Sequence, residues 1–273
     1  MFYGNIPNHF PRLIRALILL PVIMLFSPKM THSLPVFKWN ATGLVVCAAP
    51  LDQFTVRMVS DNAGGAVFAW RDKRNGTSND DIFCQKVSAG GTLLWSTAGV
   101  ALSIAANGQW APDMAEDGSG GGIVAWHDER RGGDNDDVYA GRIKPDGTAP
   151  WTLNGAGVCI KDGVQGAPQT VADGAGGSII AWHDATLNQG DLFCQKMTPA
   201  GGFAWDAAGV VVCGANDNQL FQQIAGDGSG GAVFTWEDKR IQSAIYAQKI
   251  TASGTAAWDI NGVAVDTTGG PQE

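Results

Sequence analysis

The sequence predicts an all-β fold built from one small antiparallel sheet used several times over. Three observations carry that expectation. A twelve-residue phrase, Asp117-Gly-Ser-Gly-Gly-Gly-Ile-Val-Ala-Trp126-His-Asp128, returns as Asp61–Asp72, Asp173–Asp184 and Asp227–Asp238. Glycine (37) and Trp (10) are heavy while charged residues are sparse at 16%, which argues against disorder and for turns joining apolar strands. The stretch after each glycine turn is apolar without alternation: Val67-Phe-Ala, Ile123-Val-Ala, Ile179-Ile-Ala and Val233-Phe-Thr. A strand with no polar face is buried on both sides.

A second marker fixes the period. Trp39, Trp95, Trp151, Trp205 and Trp258 are spaced by 56, 56, 54 and 53 residues, each followed four positions on by Gly and fourteen on by Gln. Repeats of this size mean arrays or propellers, because one unit cannot bury its own apolar faces. Length varies in one place only, the loop after Trp-x-Asp, such as Lys73–Asp80 or Glu129–Asp136, as expected of a surface loop.

Each unit divides into four short strands. In the second unit the first runs over 112–116, Asp117-Gly118 makes a hairpin turn, and the second runs over 122–127. The third covers 138–144, Asp146-Gly147 turns again, and the fourth starts near Trp151 and passes a kink at Gly155 to Ile160. Small sheets sandwiched between their neighbours would give every second strand two buried faces, which is the arrangement of a β-propeller. Trp70, Trp126, Trp182, Trp236, Trp95, Trp151, Trp205 and Trp258 are therefore expected in the core, with Trp110 alone out of pattern. Asp72, Asp128, Asp184 and Asp238 are expected to accept backbone hydrogen bonds at strand ends, and the recurring Gln to pair with backbone near the first strand.

With Gly-Gly-Ile-Val-Ala-Trp-His-Asp-Glu-Arg and Asp191-Leu-Phe-Cys-Gln-Lys196 in view, the units resemble the Trp-x-Asp repeats of secreted bacterial β-propellers. They are loosely similar to the Asp-box repeats of sialidase-like proteins, whose Ser/Thr-x-Asp-x-Gly-x-Thr-Trp order is not reproduced. The resemblance covers about residues 37–273. It implies an exported protein with an adhesive or scaffolding role. Four four-stranded blades are recognisable, in units of about 39–94, 95–150, 151–204 and 205–257, with a fifth starting at 258. The boundary strand occurs five times, from Leu44–Cys47 to Val263–Asp266, which points to a fragment of a larger propeller or a four-bladed ring with a closing clasp.

Residues 1–33 read as a signal peptide: Arg12 and Arg15, then eleven apolar residues from Ala16 to Phe26, then a polar stretch. The repeat domain is then 34–273, secreted or at the cell surface, with no membrane span after removal of the signal. Cleavage would take Arg12, Arg15 and Lys29 but no acid, moving the net charge from −8 to −11. Such a surface excludes a nucleic-acid partner.

Cys47, Cys84, Cys159, Cys194 and Cys213 are disulfide candidates, as Cys47–Cys84 with Cys159–Cys194 or as Cys194–Cys213, beside the reading of buried thiols. Asp134, Asp136 and Asp137 are the candidate cation ligands, for Ca²⁺ if any. His127 and His183 share a position with Arg71 and Glu237 and so read as an exposed strand end. No catalytic motif is present, and no catalytic residue is assigned. The residues out of register are Trp110, Arg57 and the loop 129–136, with Arg130, Arg131 and Trp110 the binding candidates. The expectation is a non-enzymatic binding or scaffold propeller for an extracellular protein or glycan. The alternatives are a carbohydrate-active enzyme, glycosidase or lyase, and a calcium-stabilised structural module.

Overall fold

The computed structural model describes residues 42–132, 134–186, 190–240 and 243–266. The expected signal segment, Trp39 and Gln272 lie outside them. Blade 1 consists of β1 (Gln53–Ser60), β2 (Ala66–Asp72), β3 (Asp81–Val87) and β4 (Val100–Ser103). Blade 2 consists of β5 (Gln109–Glu116), β6 (Gly122–Asp128), β7 (Asp137–Ile143) and β8 (Ala156–Cys159). Blade 3 is β9 (Gln165–Ala172), β10 (Ser178–Asp184), β11 (Asp191–Met197) and β12 (Val210–Cys213). Blade 4 is β13 (Gln219–Gly226), β14 (Ala232–Asp238), β15 (Ala244–Ile250) and β16 (Val263–Asp266). Every sheet is antiparallel with its strands in chain order. Among the described residues no helix is long and apolar enough to cross a membrane.

The blades are offset from the sequence units, because the outer strand of each sheet follows the next boundary Trp. That strand is also shorter than expected: Trp151 lies in a turn and β8 starts at Ala156. The inner strand starts earlier than expected, at Gln109 rather than 112. Leu44–Cys47, expected as a strand, forms none.

The inner strands pack side by side in the order β1, β5, β9 and β13, so the sheets stack radially as propeller blades; β13 and β1 are not joined in the same way. The core lies between blades rather than within them. Val67, Ile82 and Leu102 of blade 1 meet Met114, Val124 and Trp126 of blade 2. Blade 2 meets blade 3 through Ile123, Val138 and Val158 against Ile180 and Trp182. Blade 3 meets blade 4 through Ile179, Leu192 and Val212 against Phe234 and Trp236.

The second-strand Trp residues, Trp70, Trp126, Trp182 and Trp236, are buried as expected. The boundary Trp residues are not uniformly core. Trp151 is buried, Trp95 and Trp205 are half-buried, and Trp258 is 40% exposed. They are joints between blades: Nε1 of Trp95, Trp151 and Trp205 donates to the carbonyl of Pro145, Pro199 and Ala252, each in the last turn of the following blade. Lys86 and Lys196 add a second tie, donating to the Gly120 and Gly230 carbonyls of the next blade.

The glycine after the boundary Trp is fixed by close approach. Gly99 has φ +82°, and a Cβ there would stand 2.6 Å from the Trp70 ring. All five cysteines are free thiols, which corrects the disulfide candidates Cys47, Cys84, Cys159, Cys194 and Cys213. Cys84 and Cys194 are fully buried in their third strands, where they act as small apolar residues and burial drives their pKa far up. Burial also pushes the Cys159 and Cys213 thiols up, each to about 11.

Candidate functional site

The inner strands are where the repeat is bent toward the axis. In each one the pairing slips: Trp110 faces His127 and Asp113 faces Ala125, so Ala111 and Pro112 together oppose the single residue Trp126. The same bulge recurs in β1, β9 and β13. Its first residue is left-handed without being glycine: Thr55 (φ 54°), Ala111 (48°), Ala167 (50°) and Phe221 (53°). Bulges re-aim side chains, and strain of roughly 1–3 kcal/mol per such residue persists only where surrounding structure imposes it.

The bulges gather Arg57, Asp113, Gln169 and Gln223, each four residues after the recurring Gln, around one pocket of about 460 Å³. His183, Phe221 and Gln222 complete its polar and aromatic lining. Arg57 Nε donates to Asp113 Oδ1 at 3.1 Å, and Asp113 Oδ2 accepts from the Thr170 amide at 2.7 Å. Gln222 Nε2 donates to the Ala167 carbonyl at 2.7 Å. These bonds cross blades 1–2, 2–3 and 4–3 respectively. The Gln169 side chain is half-buried at the pocket, while Nε2 of His183 is buried without a hydrogen-bond partner against Gly190, where a Cβ would stand 1.9 Å from it. Burial pushes the His183 pKa down and Asp184 opposes it, so the ring is neutral at pH 7. With Arg57 and Asp113 offsetting each other, the pocket carries no net charge.

The binding candidates are placed elsewhere. Arg130 grips Asp128 from Nε (2.8 Å) and Nη2 (2.6 Å) and lies 3.7 Å over the Tyr139 ring. Arg74 and Arg240 do the same in blades 1 and 4, over Phe83 and Tyr246, so this Arg belongs to the blade and not to a ligand site. Arg131 bridges Asp137 (3.2 Å) and Asp162 (2.7 Å). Trp110 stacks on His127 with ring centres 3.9 Å apart and donates from Nε1 to Glu129 Oε1. His127 is buried rather than exposed, because Gly166 of blade 3 leaves room against its ring.

Among the described residues the acidic loop does not assemble a cation site. Asp136 faces His127 at 3.1 Å, and Asp137 faces Arg131. Among the described residues no group of three His, Cys, Asp or Glu side chains could hold a metal, so Asp134, Asp136 and Asp137 are not joint ligands. The repeat aspartates take the structural role expected of them. Oδ2 of Asp72, Asp128 and Asp238 accepts from the indole of Trp70, Trp126 and Trp236, while Oδ1 accepts a backbone amide two residues on. Blade 3 departs from this: Thr186 replaces the Arg, Lys161 pairs with Asp184 instead, and Trp182 Nε1 is unpartnered. The recurring Gln side chains donate to backbone carbonyls just ahead of the inner strand, as from Gln109 to Ala105, Ala106 and Asn107.

Sequence reasoning named Arg57 but missed Asp113, Gln169, Gln223 and His183 as its companions. The position four after the recurring Gln reads Arg, Asp, Gln and Gln, polar in every copy, but it lies in a strand whose other positions vary as much.

Fold and pocket together define a β-propeller with a mixed polar and apolar pocket where its four inner strands meet. No family model and no curated relative matches the sequence. Among solved structures, an endo-arabinase from Bacteroides thetaiotaomicron VPI-5482 is similar at 12% identity and TM-score 0.48, covering 82% of this chain and 85% of that one. A thermostable family-43 glycoside hydrolase is similar at 10% identity and TM-score 0.45, covering 82% and 78%. An α-L-arabinofuranosidase from Lactobacillus brevis is similar at 10% and 0.43, covering 78% and 74%. Likeness at this level fixes neither ligand nor reaction for this chain.

Proposed function

We propose that the axial pocket takes a neutral, hydroxyl-rich ligand, a glycan, and that the protein is a carbohydrate-directed propeller of the cell exterior. The observation that carries this reading is the lining itself: the side-chain amides of Gln169, Gln222 and Gln223 stand beside the Arg57–Asp113 pair and the Phe221 ring in one pocket. Side-chain amides both donate and accept, which matches sugar hydroxyls, and an exposed ring such as Phe221 offers an apolar face to a pyranose. The signal-like segment 1–33 supports export.

Two uses of such a site differ in chemistry. Capture needs only the lining. Hydrolysis needs two carboxyl groups flanking the bond, roughly 5–9.5 Å apart, and Asp113 is the one carboxylate among the lining residues. The test is a panel of neutral oligosaccharides read both by calorimetry and by product release. The expected result is binding that weakens about five- to tenfold in Gln169→Ala, the loss of roughly one hydrogen bond. Product release that vanishes in Asp113→Asn would assign hydrolysis instead. The absence of both binding and turnover across the panel would overturn the glycan reading.

A further inference from the structure

Three of the four blades seat an arginine of their own at the end of the second strand, and blade 3 keeps the seat without the arginine. Arg74, Arg130 and Arg240 each lie two residues after the strand-end Asp, and Thr186 holds that position in blade 3. The seat has four walls. A carboxylate takes the guanidinium, from Asp72, Asp128 or Asp238. An aromatic ring of the third strand lies under it, with Cζ 3.7 Å from the centre of Phe83 and of Tyr139 and 4.1 Å from that of Tyr246. The carbonyl before the boundary glycine accepts from Nη2, at 2.7 Å for Asn154 and 2.8 Å for Asn261. The eighth residue after the boundary Trp closes the seat, and where it is Cys its sulfur meets Nη2, Cys47 at 3.3 Å and Cys213 at 3.1 Å.

Blade 3 has the same four walls, Asp184, Phe193, Ala208 and Cys159. The last three line a pocket of about 500 Å³, together with Ile160, Lys161 and Phe203. Its ring is uncovered: Phe83, Tyr139 and Tyr246 are buried while Phe193 is half-buried. Behind it Trp182 and Asp184 are 1% and 2% exposed, and Trp182 Nε1 has no partner among the described residues. The indoles of Trp70, Trp126 and Trp236 each donate to an Asp that the arginine holds in place. Lys161 stands where the other units have Ala49, Ala105 and Ala215, and it gives Asp184 a countercharge without filling the seat. Its ammonium lies 5.3 Å from the centre of the Phe193 ring, and its side chain is 37% exposed. An ammonium is a point charge with no plane to lay on that ring.

We propose that this pocket receives a guanidinium group from outside the chain, the side chain of an arginine in a protein partner. The incoming group takes in blade 3 the place that Arg130 holds in blade 2: flat on Phe193, paired with Asp184, with the Ala208 carbonyl and the Cys159 sulfur at its edge. Lys161 yields to it by turning toward solvent. A chain of net charge −8 attracts a basic segment, and Ile160 and Phe203, both exposed, offer the residues flanking that arginine an apolar surface. The pocket shares no lining residue with the axial one, so the proposal stands apart from the glycan reading.

The probe is the capped tripeptide acetyl-Gly-Arg-Gly-amide, titrated into the intact protein by calorimetry beside its Lys counterpart and free arginine. The Arg peptide is expected to bind at least about tenfold more tightly than either. Thr186→Arg gives blade 3 the residue its neighbours carry and should abolish the binding. Lys161→Ala, again the residue of the other units, should strengthen it about fivefold by freeing Asp184 from a part-exposed ion pair. No binding to the wild type or to Lys161→Ala would overturn the proposal. So would binding that survives Thr186→Arg, affinity that Lys161→Ala leaves unchanged or lowers, or equal binding of the Arg and Lys peptides. Free arginine bound as tightly as the peptide would overturn the protein partner in favour of a small guanidinium compound.

Discussion

At the scale of residues, the most consequential side chain is one whose role the repeat half conceals. Arg74, Arg130 and Arg240 close a three-part unit: indole N–H to carboxylate, carboxylate to guanidinium, guanidinium onto an aromatic ring. Burial pushes the Asp72 and Asp238 carboxyls up, but hydrogen bonds from the Arg and the Trp outweigh it, so both lie below the ordinary value of 3.8. A lowered folded-state pKa contributes stability that is present above about pH 4 and is lost as pH falls through the folded value. Arg130→Ala is expected to destabilise the protein by about 2–4 kcal/mol, since Asp128 is left buried with half its donors. Arg131→Ala, on the more exposed neighbour, should cost under about 1 kcal/mol. Urea denaturation of both variants checks this, and equal losses would contradict it. The aspartates were legible in the sequence because every blade has them. The Arg was not, because blade 3 substitutes Thr186 and Lys161, and a broken series reads as surface variation.

At the scale of elements, the middle pair of strands brings two carboxylates into register at one end. Asp72 faces Asp81, Asp128 faces Asp137 and Asp184 faces Asp191, while blade 4 has Ala244 opposite Asp238. Burial first, and the neighbouring carboxylate with it, raises the pKa of Asp81, Asp137 and Asp191, and each keeps one buried oxygen without a partner. A raised folded-state value has the opposite consequence: the unfolded chain gives up the proton first, so stability falls as pH rises from about 4 through the folded value. Asp137→Asn should therefore raise the melting temperature at pH 7 by a few degrees and leave it nearly unchanged near pH 4. A variant that melts lower at pH 7 would show that the Arg131 contact outweighs the burial cost. The blade's strand order and its glycine turns were readable from period and turn residues. The inner-strand bulge was not, because Thr55, Ala111, Ala167 and Phe221 are not residues that announce a left-handed backbone, and the axial site depends on that bulge.

At the scale of the stacked blades, stability is a sum over seams. Each core cluster joins one blade to the next, so an end blade has one covered face and one open face. The sequence showed that some apolar residues must be buried by a neighbour, but not which copies would lack one, since Val265 and Leu102 look alike on the page. The same geometry places the axial pocket at the meeting point of all four inner strands, where a ligand would touch every blade.

The most direct test of seam packing compares one substitution at two copies of one position. Met114→Ala, under blade 1, is expected to cost about 2–4 kcal/mol in equilibrium unfolding, and Met58→Ala, on the open face, under about 0.5 kcal/mol. Equal costs at the two sites would contradict a core that lies between the blades.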